Sequence, residues 1–207
     1  MGRLVKDING AFTGKVGSVV GYTRNGKAFI KGPYKKRTKR ISEKELSNRK
    51  RFALAQAWLK PLLLFVREGF KGYSESAQGF IAAKSYLMTH AMSVENGEHK
   101  IHPEKVKVSY GSLPLSADIK AERIADNKIR FSWDGSHIKG TDYFDQVMLM
   151  AYHVGSGFYS CVTTGPFRYT GEALLEISQK LEGHEVYLAF CAADRSRQSD
   201  SVYLGQL

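Results

Sequence analysis

Cys161 and Cys191 are the only cysteines in 207 residues. That scarcity excludes a disulfide framework and a cysteine-rich zinc site. Long apolar runs are missing too. The longest, Pro61-Leu-Leu-Leu-Phe-Val66, falls far short of the roughly 20 apolar residues a membrane span needs. The opening MGRLVKDING is broken by charge before any apolar core develops, so no secretory signal is read there. These absences predict a soluble, cytoplasmic protein without a membrane partner. Negative charge is scarce in one place: between Asp7 and Glu43 no acidic residue occurs.

What is present is an uneven field of positive charge. The net charge is +11. Residues 1–51 hold 15 Lys and Arg against Asp7, Glu43 and Glu45, a net of +12, while the remaining residues sum to −1. A basic surface that served solubility alone would be scattered. A segregated one points to a polyanionic partner, nucleic acid first among them. Hydrophobic residues make up 43% of the chain, enough for a packed core.

Two textures divide the chain. Val19-Val-Gly-Tyr-Thr-Arg24 and Lys27-Ala-Phe-Ile-Lys31 flank Asn25-Gly26, which predicts a β-hairpin because a type I′ turn needs positive φ at both central residues. Pro33 ends it, and a basic run over residues 34–41 follows. Ser42 and Glu45 have the spacing of a capping box, predicting a helix with Phe52, Ala55, Leu59, Leu62 and Val66 on one stripe. Pro61 should kink that helix or start another. A further helix is expected after Ser74. Residues 93–104 read as a polar linker. Beyond Lys105, short strands separated by turn signals predict a β-sandwich: Ile119–Ile124, Lys128–Trp133, Gln146–Val154, Phe158–Thr163, Phe167–Thr170, Ala173–Ile177, Glu185–Ala192 and Ser201–Leu204. Trp133 is expected in its core. The fold class is therefore α+β. A basic module of hairpin plus helices spans 1–92, a linker 93–104, and an antiparallel immunoglobulin- or fibronectin-III-like β-sandwich 105–207.

Candidate chemistry is thin. Gly10-Ala-Phe-Thr-Gly-Lys15 lacks the spacing and the hydroxyl residue of a phosphate loop, and the glycines at 14, 17 and 21 lack the dinucleotide spacing. His99 and His102, near Glu98 and Glu104, have no second ligand pair. Asp142 and Asp145 could serve acid–base or metal work, or form a turn. Cys161 and Cys191 could face each other across a sandwich, or be ordinary buried thiols. No nucleophile, base and orienting group assemble, so the expectation is a non-enzyme with no cofactor. The polyanion-binding candidates are Arg24, Lys27, Lys31, Lys35, Lys36, Arg37, Lys39 and Arg40. Tyr22, Phe29 and Tyr34 are interleaved with them and could stack on unpaired bases. Tyr22 and Phe29 could equally form the buried face of the hairpin.

Several motifs together resemble a known family. These are the glycine pattern of Gly10–Gly21, Arg49 with Phe52 and Trp58, Phe131-Ser-Trp133, Tyr187-Leu-Ala-Phe190 and the closing Ser201-Val-Tyr-Leu-Gly205. The pattern resembles a domain-of-unknown-function family of Bacteroidota over nearly the whole chain. More loosely, the N-terminal half is similar to phage-associated proteins with a glycine-rich sheet followed by an Arg…Phe helix. The resemblance implies two modules and no assigned activity, and so contributes no catalytic residue. The expectation is a binding protein whose basic module takes nucleic acid or another polyanion, with the sandwich as a surface for a protein partner. The alternative is a self-assembling structural subunit of a phage-like or other large assembly.

Overall fold

A computed structural model describes residues 3–4, 12–24, 26–36, 38, 40–74, 79–177 and 182–207. The chain forms two compact units, Met1–Ser42 and Glu43–Leu207.

The first unit is an antiparallel meander. Strands β1 (Arg3–Leu4), β2 (Phe12–Val16), β3 (Val19–Arg24) and β4 (Lys27–Lys31) pair in chain order. Arg24 lies opposite Lys27, so β3 and β4 are the hairpin that Asn25-Gly26 predicts. Gly26 has φ 74°, as that turn requires; Asn25 lies outside the described residues. Gly21 marks a close approach. A Cβ there would meet the Phe12 carbonyl oxygen at 2.3 Å and the Phe12 ring at 2.7 Å.

The second unit begins with helix α1 (Glu43–Leu59), α2 (Leu63–Gly69) and α3 (Phe80–His90). Its first residue directly follows Ser42, the expected cap. Helix α1 ends before Pro61, which sits in the turn to α2 because it has no N–H to continue the ladder. A hairpin follows, β5 (Met92–Glu95) and β6 (Glu98–Ile101), with Asn96-Gly97 at its turn. Residues 93–104, expected as a linker, are thus mostly ordered hairpin. A sheet of β7 (Lys120–Ala125), β8 (Lys128–Ser132) and β11 (Glu172–Glu176) has the order β11-β8-β7. A second sheet of β9 (Gln146–His153), β10 (Phe158–Val162), β12 (Glu185–Cys191) and β13 (Val202–Gln206) has the order β10-β9-β12-β13.

Alternation along β9 and β12 explains the layering. Met148, Met150 and Tyr152 with Tyr187, Ala189 and Cys191 share one core with Ala55, Trp58, Leu59, Leu62, Phe65, Val66 and Leu87 of the helical segment. Val147, Leu149 and Ala151 with Val186, Leu188 and Phe190 share another core with Ile129, Phe131, Trp133, Ala173 and Leu175. Successive side chains of a strand point to opposite faces, so both faces of this sheet are buried and both strands read as continuous apolar runs. The helices, expected to form a module with the N-terminal hairpin, pack on this sheet instead. Their apolar stripe needs a large covering surface, which the sheet supplies.

Two local expectations change. Phe52, placed on the apolar stripe, is about half exposed, with the Lys84 ammonium 3.9 Å above its ring. Residues 168–170 form a 3-10 turn where a strand was expected. There Arg168 turns inward to the Asp145 carboxylate, which strand alternation alone would not require.

Candidate nucleic-acid interface

Register sorts the side chains of the N-terminal sheet. Opposed residues of an antiparallel pair project to the same face, and each strand alternates. Tyr22 lies opposite Phe29, Arg24 opposite Lys27, and Val20 opposite both Lys15 and Lys31. One face therefore carries Lys15, Val20, Lys31, Tyr22, Phe29, Arg24 and Lys27. The other carries Gly14, Gly21 and Ile30 in one row, with Val16, Val19, Thr23 and Ala28 in the rows beside it. Every cation of β2, β3 and β4 falls on the first face, and none on the second.

The aromatic pair sits between the cations. The Tyr22 and Phe29 rings are stacked, with centroids 5.5 Å apart and planes 20° from parallel. They are 37% and 42% exposed. Lys31 Nζ lies 5.2 Å from the centroid of the Tyr22 ring, a cation–π contact that holds the ammonium beside the aromatic pair. Lys15, Arg24, Lys27 and Lys31 are all exposed. Among the described residues of the unit only Gly21 is buried. Tyr22 and Phe29 consequently pack on each other and stay open to solvent, without forming a buried hairpin face.

The basic run falls outside those strands. Lys35, Lys36 and Arg40 are exposed in irregular backbone, and Tyr34 beside them is 91% exposed. Arg37 and Lys39 lie outside the described residues. Of the eight expected residues, Arg24, Lys27 and Lys31 share the sheet face, and Lys15 joins them although the sequence did not single it out. Its signal was the pairing of β2 with β3, which requires the Gly17 turn to be recognised as a second hairpin.

The second unit resolves the other candidates. Asp145 Oδ2 lies 3.3 Å from Arg168 Nε, and both side chains are almost wholly buried. Arg168 also donates to Ser116 Oγ at 2.8 Å and to the Pro114 carbonyl at 3.0 Å, and its guanidinium stacks 4.0 Å over Phe190. The Arg168 carbonyl in turn accepts the Trp133 indole N–H at 2.7 Å. Trp133 is thus a core residue, and Asp145 is the anion of a structural ion pair. Asp142 accepts the Phe144 N–H, closing the turn at the entry to β9. His99 Nε2 contacts Ser47 Oγ at 2.9 Å, whereas His102 lies 3.4 Å from both Glu95 and Glu104. Among the described residues no cluster of three or more His, Cys, Asp or Glu is placed to hold a metal ion.

The cysteines lie in one sheet and do not face each other across two. Cys161 pairs with Met150 on one side of β9, and Cys191 with Gln146 on the other, four residues along the same strand. Both are free thiols, and burial pushes both above the usual thiol range. An open cleft of 410 Å³ is lined by Lys71, Tyr73, Tyr110, Ser196, Arg197 and Asp200, among others. Its carboxylate is occupied: Asp200 accepts Lys107 Nζ at 2.5 Å and the Gly111 N–H at 3.2 Å. No described helix is long and apolar enough to cross a membrane.

A family model described as a family of unknown function (DUF6266) matches residues 11–205, spanning both units. No curated protein matches the chain.

Proposed function

The chain belongs to the DUF6266 family, and from that premise we propose that it is a non-enzymatic binding protein whose N-terminal unit holds nucleic acid. The observation that carries this reading is the sorting of charge. Between Asp7 and Glu43 the chain has nine Lys and Arg and no acid. Those in the described strands gather on one sheet face around two exposed rings. Phosphates supply the matching charge, and release of their counterions drives the association. Lys35, Lys36, Arg37, Lys39 and Arg40 extend the field along the backbone of the ligand.

Salt dependence tests this directly. With about six phosphates neutralised, log K should fall against log salt with a slope near −5 on duplex and near −4 on single strands. Absence of binding to single- and double-stranded DNA and RNA at low salt overturns the proposal.

The second unit supplies a rigid platform for a protein partner. We read strands β7 to β13 of this unit as a fibronectin-III-like sandwich. Support comes from the two antiparallel sheets, β11-β8-β7 and β10-β9-β12-β13, which share one core.

One observation favours a second reading, a structural subunit of a phage-like or other large assembly. The other face of the N-terminal sheet is uncharged and open, with Ile30 66% exposed, and β4 ends that sheet as an edge strand. Such a sheet can accept a neighbouring subunit. Salt-resistant oligomers formed without nucleic acid, seen by light scattering, would favour this reading over the first.

A further inference from the structure

We infer that the ligand of the cationic sheet face is single-stranded nucleic acid, its unpaired bases on Tyr22 and Phe29 and its phosphates on Lys15, Arg24, Lys27 and Lys31. The inference rests on the nucleic-acid reading above and narrows it to one class of strand.

The face has the layout of a stacking platform bracketed by charge. Arg24 and Lys27 form one end row, and Lys15 and Lys31 flank Val20 in the other. Those rows are four residues apart along β3, about 13 Å at the rise of a strand. The Tyr22–Phe29 row lies between them. A strip of that length faces about two or three unpaired bases, the number that sheet-borne aromatics hold in RNA-recognition domains.

Duplex explains only half of this arrangement. Its phosphates would satisfy the four cations, but its base faces are already stacked on each other and offer nothing to a ring. Two aromatic side chains more than a third exposed then gain nothing from the complex. A single strand uses both features, since every unpaired base presents a π-face and every linkage a phosphate. Lys31 is held beside the Tyr22 ring, so its ammonium can meet a phosphate that flanks a base stacked there. The uncharged opposite face leaves one side of the sheet for the strand.

The test compares the full chain on fluorescent oligo(dT) and on duplex of equal length at one low salt concentration. The expected result is at least about tenfold tighter binding of the single strand. Tyr22→Leu with Phe29→Leu keeps residues suited to a strand. It should remove that preference while leaving duplex affinity within about twofold, because duplex contacts are made by the cations alone. As a second variant, Phe29→Trp places an indole on the platform, and its emission should be quenched by oligo(dT). Duplex bound as tightly as oligo(dT), or no quenching on saturation, overturns the single-strand inference and leaves the nucleic-acid reading intact. Failure to bind either nucleic acid overturns both. Displacement of oligo(dT) by polyglutamate at equal charge also overturns the inference and assigns the face to an acidic protein.

Discussion

The described residues form two four-stranded antiparallel sheets that use their faces in opposite ways. In β1-β2-β3-β4 the only described residue that is buried is Gly21. In β10-β9-β12-β13 every residue of β12 is buried, and so are all of β9 except its two ends. The first sheet leaves its side chains to solvent, with charge on one side and apolar or small residues on the other. The second is covered by helices on one face and a sheet on the other, and its alternation only decides which core a residue joins. Backbone pairing is common to both. What differs is whether a face is spent on the protein's own interior or kept for something else. Burial of apolar area is the main source of folding energy, so the second sheet carries stability and the first carries surface chemistry.

The largest expected effect lies in the covered sheet's surroundings. Asp145→Ala leaves Arg168 buried without its counter-charge and should cost about 3–5 kcal/mol in urea unfolding. Trp58 and Trp133 are the only tryptophans and both belong to the second unit, so indole fluorescence follows that unit alone. The proposed salt-dependent nucleic-acid binding, at a temperature where the variant remains folded, should stay unchanged; a change in its slope would break the division of labour.

Gly21→Ala is the matching probe of the open sheet. The new Cβ would collide with the backbone of Phe12, an overpacking cost of about 1–3 kcal/mol. Amide exchange in β2 and β3 should accelerate while the tryptophan unfolding curve keeps its midpoint. A shifted midpoint would mean that the two units unfold together.

The smallest effect is an alkaline one, confined to the covered sheet. Burial pushes the Tyr187 phenol above the ordinary value near 10, helped by the Glu185 carboxylate, and its hydroxyl donates to the Pro103 carbonyl at 2.7 Å. Burial likewise raises Tyr203, which donates to Glu185 Oε2 at 2.6 Å. Above pH ~10 the unfolded chain loses these protons while the folded chain keeps them. The native state then binds more protons, so stability is complete below pH ~10 and falls as pH rises, by about 1.4 kcal/mol per pH unit for Tyr187. Tyr187→Phe should flatten that decline in urea titrations carried from pH 8 to 11. An unaltered decline would locate it elsewhere.

Local signals carried much of the architecture. Asn25-Gly26 marked the first hairpin because its turn chemistry is confined to a few residues. The apolar stripe of Ala55, Leu59, Leu62 and Val66 was visible because helical periodicity repeats within a short window. Most strands of the second unit were legible for the same reason. Lys15 was missed because its place on the cationic face depends on which strand lies beside which. The inward turn of Arg168 was missed because its partner, Asp145, lies more than twenty positions away.

By itself, the sequence determined the segregated charge, the hairpin turn, the helical stripe and the places of most strands beyond Lys105, all properties of neighbours along the chain. Tertiary structure alone decided that the helices cover the sheet of β9 and β12, that Asp145 belongs to a buried ion pair, and that four cations share a sheet face with Tyr22 and Phe29. Each of those depends on pairing register or on contacts between distant segments. Those are set by how apolar faces find cover, and no short window of sequence contains that information.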